Sequence, residues 1–202
     1  MKNKYFDFES NLIDENSIAQ YSDYYKAHLD EDNEFKLIES IEENQLVAID
    51  YYLGKEESVD AVLENFKEID QITFFTKKEK RGKYTKYEVI TYFKGKKHTV
   101  IRLQVFEDLL LPIYDFAADV STNQLLSFFK NYYDLENRIH YEFEYEAKGE
   151  LKKITVYDPT NHVDTSDFTI LPHQVGKNKN DYGFDWEGFA YYQNAQQVFP
   201  EK

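Results

Sequence analysis

Two imidazoles and two carboxylates lie close together in one loop-rich stretch: His162, Asp164, Asp167 and His173. That donor set suits zinc or a similar ion. The spacing, however, matches no dedicated motif. None of the five histidines (His28, His98, His140, His162, His173) forms HxH or HExxH. We expect polar loop residues there and no metal. The run Asp30-Glu31-Asp32-Asn33-Glu34 has the acid density of a calcium loop. Phe35 stands where such a loop needs Gly for its sharp turn, and Ile41 where it needs a bidentate Glu.

Other chemistry is excluded more directly. With no Cys, the chain has no thiolate zinc site, iron–sulfur cluster, disulfide or cysteine nucleophile. Its 7 Gly include no GxGxxG or GxxxxGK[ST] phosphate loop and no GxSxG elbow. Carboxylates abound, but spacing alone selects no catalytic pair. The expectation is therefore no catalytic residue, no cofactor and no metal.

The charge is more informative. In 202 residues there are 24 Lys+Arg and 38 Asp+Glu, a formal net charge of −14. The segment from Lys77 to Arg102 holds ten basic residues against two acids, Glu79 and Glu88. An acidic body with one basic hairpin region results, and the lysines there read as protection of an exposed sheet edge. A general nucleic-acid binder is disfavoured, because phosphate repels such a body. The aromatic content of 17%, with 18 Tyr and 16 Phe, argues against disorder and requires buried or interfacial rings.

No apolar run approaches the ~18 residues of a membrane span. The longest, Leu109 to Ile113, contains Pro112. The opening residues Met1 to Asp7 turn acidic and lack the apolar stretch of a signal peptide. The expectation is a soluble cytoplasmic protein.

Positioning elements follow from periodicity. Phe35 to Glu42 and Val47 to Leu53 alternate around Glu43-Asn44 as a hairpin, and Ile139 to Glu146 with Lys152 to Asp158 do the same around Ala147-Lys148-Gly149. Strands are expected near 71–76, 83–94 and 98–107. Helices are expected over 17–29 (stripe Ile18, Tyr21, Tyr25, Leu29), 56–67 (Ser58 as cap; Val59, Val62, Leu63, Phe66) and 121–133 (Leu125, Phe128, Phe129, Tyr132). The residues from 159 onward are aromatic and Gly-containing. Within them 167–171 reads as a strand, and 186–198 as a further helix.

Tyr5-Phe6-Asp7-Phe8 resembles Ile113-Tyr114-Asp115-Phe116, and Tyr24-Tyr25-Lys26 resembles Phe128-Phe129-Lys130. Both halves read strand, helix, hairpin. The expected fold is thus α+β, mainly antiparallel hairpins with three or four helices, from an internal duplication. Residues 1–107 form the first unit with its basic extension. Residues 108–202 form the second with its aromatic tail, packed as one body.

The function this pattern suggests is non-enzymatic protein binding. More narrowly, it is an immunity-type inhibitor of a bacterial toxin with a basic active-site cleft. Acids would steer the partner and rings would grip it. The partner-facing acids are expected at Glu39, Glu42, Glu43, Glu142, Glu144 and Glu146, with Tyr52 and Trp186 as anchors. The alternatives are an enzyme with an unrecognised carboxylate or His site and an assembly module forming a homodimer. The oligomeric state is left open.

Overall fold

A computed structural model describes residues 2–8, 11–107, 112–134, 139–157, 168–176, 178–180 and 183–201. Strands dominate it. In chain order they are β1 (Lys2–Phe6), β2 (Leu12–Ile13), β3 (Tyr24–Leu29), β4 (Phe35–Glu42), β5 (Gln45–Tyr52), β6 (Gln71–Arg81), β7 (Tyr84–Phe93), β8 (Lys96–Glu107), β9 (Pro112–Asp119), β10 (Gln124–Asp134), β11 (Ile139–Tyr145), β12 (Leu151–Tyr157) and β13 (Phe168–Ile170). The α-helices are α1 (Val59–Asn65) and α2 (Ala190–Gln193), with short 3-10 turns at Glu15–Gln20 and Pro172–Gln174.

These thirteen strands form one sheet in the order β2-β1-β3-β4-β5-β6-β7-β8-β9-β10-β11-β12-β13. Strand makes up 55% of the described residues and helix 11%. The α+β expectation with three or four helices is therefore corrected to a sheet-dominated fold. By Cα packing the chain divides into two compact units. The first is Met1–Lys78 with Tyr87–Ile101, and the second is Glu79–Lys86 with Arg102–Lys202.

Two expected helices are strands, for one reason. Tyr24-Tyr25-Lys26-Ala27-His28-Leu29 and Phe128-Phe129-Lys130-Asn131-Tyr132-Tyr133 contain ring residues at helical spacing, but they also fit alternation. Aromatic side chains suit a pleated, half-buried surface. Ala27 and Leu29 bury on one side of β3, and Phe128 and Lys130 on one side of β10. β3 pairs with β1 and β4, and β10 with β9 and β11, all antiparallel. The duplication of a strand–helix–hairpin unit falls with those helices: each gives way to a strand, and the first half keeps only the short 3-10 turn Glu15–Gln20 ahead of it. The apparent echo between halves is what two amphipathic, ring-rich strands share.

The basic segment is corrected too. β6, β7 and β8 lie inside the strand order, not at its edge. Four of the segment's lysines stand in ion pairs: Lys77 with Glu88, Lys78 with Glu34, Lys83 with Glu107, and Lys86 with Glu79.

In the first unit β5 and β6 run parallel, with Ile49 opposite Ile72 and Tyr51 opposite Phe74. A parallel pair requires a crossover, and the segment holding α1 supplies it. The Ser58 hydroxyl caps α1 by accepting from the Ala61 N–H at 3.2 Å. Val62 packs with Ile49, Ile72 and Phe74, and Val59, Leu63 and Phe66 close around them.

In the second unit β9 to β13 form an antiparallel run. One face carries Tyr114, Phe128, Phe143, Tyr145, Ile154 and Val156, and the C-terminal segment lies over it with Phe184, Trp186, Phe189, Tyr192 and Phe199. The β11–β12 turn depends on Gly149, at φ 83°. A Cβ there would stand 2.9 Å from the Gln196 side chain and 3.3 Å from Ala195. Only glycine allows both that turn and so close a tail.

Candidate functional site

The second unit carries an open groove of about 890 Å³. Strand β10 supplies Asn131, Tyr132 and Tyr133 to its lining, and the tail supplies Tyr191, Tyr192 and Asn194. Lys83, Tyr84, Glu107 and Glu201 complete its charged and aromatic rim. Its volume is within the range of ligand pockets. Its lining mixes rings, amides and a few charges.

Lys130 anchors the tail wall. It is fully buried at 0% exposure. Across the strands it faces Phe143 on β11 and Tyr114 on β9, so no carboxylate stands opposite it. Its Nζ donates instead to the carbonyls of Tyr191 at 2.8 Å and Asn194 at 2.7 Å, and stands 3.6 Å from the Tyr191 ring centre. The carbonyls at the end of α2 lack helical partners, and a cation is the natural group to satisfy them. Burial pushes the Lys130 ammonium down to about 7, while the two carbonyls and the ring favour its charged form. The Tyr145 hydroxyl adds a bond to the Tyr192 carbonyl at 2.5 Å, and the Tyr192 hydroxyl donates to the Asn131 carbonyl at 3.3 Å. Burial pushes the hydroxyls of Tyr145, Tyr191 and Tyr192 far above their ordinary range, so all remain donors.

The opposite face of β10 is polar. Asn131 donates to the Pro112 carbonyl at 2.9 Å and lies 3.0 Å from His140 Nε2. His140 stacks between Tyr133 and Tyr157, at 4.5 and 4.9 Å, and burial pushes it down to about 4. It is therefore neutral at pH 7. Gln104 donates to Asp115 at 2.9 Å on the same face.

The sequence-predicted acids divide by environment. Glu39 is held by Lys26 at 3.2 Å and has His28 Nε2 at 3.1 Å. Glu42 and Glu43 are exposed at the β4–β5 turn, where the Glu43 N–H donates to Asp23 at 2.7 Å. Glu142 and Glu144 share one face of β11. Burial works to raise the Glu144 carboxyl, but its hydrogen bond to Lys152 and the charges of Lys152 and Lys153 hold it below the usual range. Glu146 is exposed in the β11–β12 turn.

Both predicted anchors pack against the chain's own rings. Tyr52 stacks on Phe75 at 4.6 Å and meets Tyr87 edge-on at 5.4 Å. Trp186 stacks on Phe143 at 6.0 Å and meets Phe184 at 5.4 Å. Because side chains alternate along β11, Phe143 and its Trp186 lie on the face opposite Glu142 and Glu144.

His162, Asp164 and Asp167 lie outside the described residues, and His173 sits in the 3-10 turn Pro172–Gln174. Among the described residues no group of three or more His, Cys, Asp or Glu could hold a metal ion. Also among them, no helix is long and apolar enough to cross a membrane. Sequence reading missed Lys130, Asn131 and Tyr191. The available signal was a lysine set within a six-residue aromatic run. Comparison with protein-family models, curated proteins and solved structures finds no match to this chain.

Proposed function

We propose that this chain is a non-enzymatic protein-binding module that captures a basic protein. The narrower reading is an immunity-type inhibitor acting in the cytoplasm on a toxin with a basic cleft. The observation that carries it is where the excess acid sits. Each internal ion pair consumes one charge of each sign, so the surplus of 14 acids survives all of them. Exposed positions at the turns carry part of it: Glu31 and Asp32 between β3 and β4, Glu42 at the end of β4 with Glu43 after it, and Glu146 and Glu150 between β11 and β12. Such a field accelerates encounter with a cationic partner and disfavours phosphate-bearing ones.

Two titratable groups that burial displaces are already engaged by the chain itself. The Lys130 amine is spent on two carbonyls and His140 is enclosed by two rings.

The test immobilises the protein beside a variant carrying Glu42→Lys, Glu43→Lys and Glu146→Lys. Both are exposed to extract of the native host at low ionic strength, and retained proteins are identified. A basic protein should stay on the wild type, elute with salt, and be lost from the variant. Retention of the same proteins by both would overturn the reading.

A further inference from the structure

Resting on that reading, and locating its grip, we propose that the groove of the second unit receives an extended arginine-bearing segment of the partner. Its tyrosines stack on the guanidinium groups, and its carboxylates pair with them.

Three observations converge. First, the groove rings already serve as seats for cations. Lys83 Nζ lies 5.3 Å from the Tyr84 ring centre, as Lys130 Nζ lies 3.6 Å from that of Tyr191. An electron-rich phenol face attracts a cation, and a guanidinium stacks on it better than an ammonium does. Second, the charge of the rim is acidic. Lys83 is bound to Glu107, and among the described residues Glu201 is exposed with no ion pair. Glu107 in turn is open to a bidentate guanidinium that displaces the single-point lysine. Third, Gln193, Asn194 and Gln197 line the same space, and amide side chains of this kind can serve a passing peptide backbone. A volume of about 890 Å³ admits a short segment and not a folded domain.

Arginine is favoured over lysine because the site offers rings and carboxylates together, the pair of contacts a planar fork can make at once. Acidic and apolar segments gain nothing from Glu107 and Glu201.

The experiment titrates the full chain with acetyl-Gly-Arg-Gly-Arg-Gly-amide and follows backbone amide resonances. The control is the same peptide with citrulline, which keeps the shape and loses the charge. Saturable shifts are expected at Tyr84, Asn131, Asn194 and Gln197 with the arginine peptide. Binding should weaken by about tenfold with citrulline, the worth of one charge-assisted contact. A double variant, Glu107→Gln with Glu201→Gln, should lose a similar factor while keeping its thermal transition. Equal binding of both peptides, shifts elsewhere on the chain, or none at all would overturn the proposal. The two readings separate cleanly. If the double variant still captures the basic partner from host extract while the turn variant does not, the groove is wrong and the charge-guided binding stands. If peptide binding follows the groove carboxylates but no basic protein is captured, the groove stands without that partner.

Discussion

Each unit encloses an ionisable group whose titration burial displaces, an acid in the first and a base in the second. The first unit holds Asp50 on β5, beside Thr73, which bonds to it; burial pushes its carboxyl up to about 6. The second holds Lys130 on β10, pushed down by burial to about 7. The first unit meets its cost with a single hydroxyl. The second meets it with two carbonyls and a ring, all from a segment some sixty residues further along the chain. A buried charge is expensive unless hydrogen-bonded, so the better-served Lys130 is the more committed to structure. It fastens the tail over the core, whereas Asp50 fastens nothing comparable.

The largest effect should come from Lys130→Ala. It opens a cavity and strands two carbonyls, each costing about 1–3 kcal/mol when left unsatisfied. Relief of the buried charge offsets part of this, so we expect destabilisation of about 3 kcal/mol by urea unfolding, with the groove wall loosened. A loss below about 1 kcal/mol would put Lys130 on the same footing as a surface lysine. The pH profile sharpens the point. Unfolded lysine holds its proton to near its ordinary pKa of 10.5, whereas native Lys130 releases it from about 7. Between those values the unfolded state binds more protons, so stability rises with pH across that window. Tyr145, Tyr191 and Tyr192 are shifted the other way. Their contribution is complete below pH 10 and is lost above it, as the unfolded phenols ionise first. A conservative Lys130→Met variant should flatten the rise and keep the alkaline fall.

How much of this was legible beforehand depends on which contacts were local. The β4–β5 and β11–β12 hairpins were, because alternation and a short polar turn are written in adjacent residues. So was α1, with Ser58 ahead of its apolar stripe. The strands β3 and β10 were not. Phe128, Phe129 and Tyr132 satisfy a helical stripe as well as a pleat, and the choice is made by β9 and β11 alongside, which no local pattern contains. The groove was hidden for the same reason. Lys130 and Asn194 meet only after the tail has folded back over the sheet. The expected acids were visible as residue types, but which were exposed and which were spent on Lys26 or Lys152 depended on register.

Asp50→Asn should give an intermediate effect of opposite sign to Lys130→Ala. The substitution keeps the shape and a hydrogen bond to Thr73 while removing the partly enclosed charge. Native Asp50 holds its proton to about pH 6, above its ordinary 3.8. The native state therefore binds more protons between those values, and stability falls as pH rises through them. At pH 7 the variant should be more stable by about 1 kcal/mol, a figure reduced for the solvent the carboxyl still sees. At pH 4 the gain should vanish. A variant that is less stable than wild type at pH 7 would mean that the ionised carboxylate has a partner worth more than its burial costs.

The smallest effect belongs to the ordinary ion pair that sets the scale for both. Lys26 and Glu39 stand directly opposite each other on β3 and β4, with side chains 29% and 19% exposed. A pair with this much access to water contributes about 0–1 kcal/mol. Lys26→Ala should therefore cost less than about 1 kcal/mol, mostly abolished by high salt, which screens the attraction. Lys130→Ala should keep its full cost in the same salt, because its partners are uncharged carbonyls sealed from ions. If both variants respond to salt alike, the distinction between a lysine that finds an acid across the strand and one that waits for the tail is not a physical one.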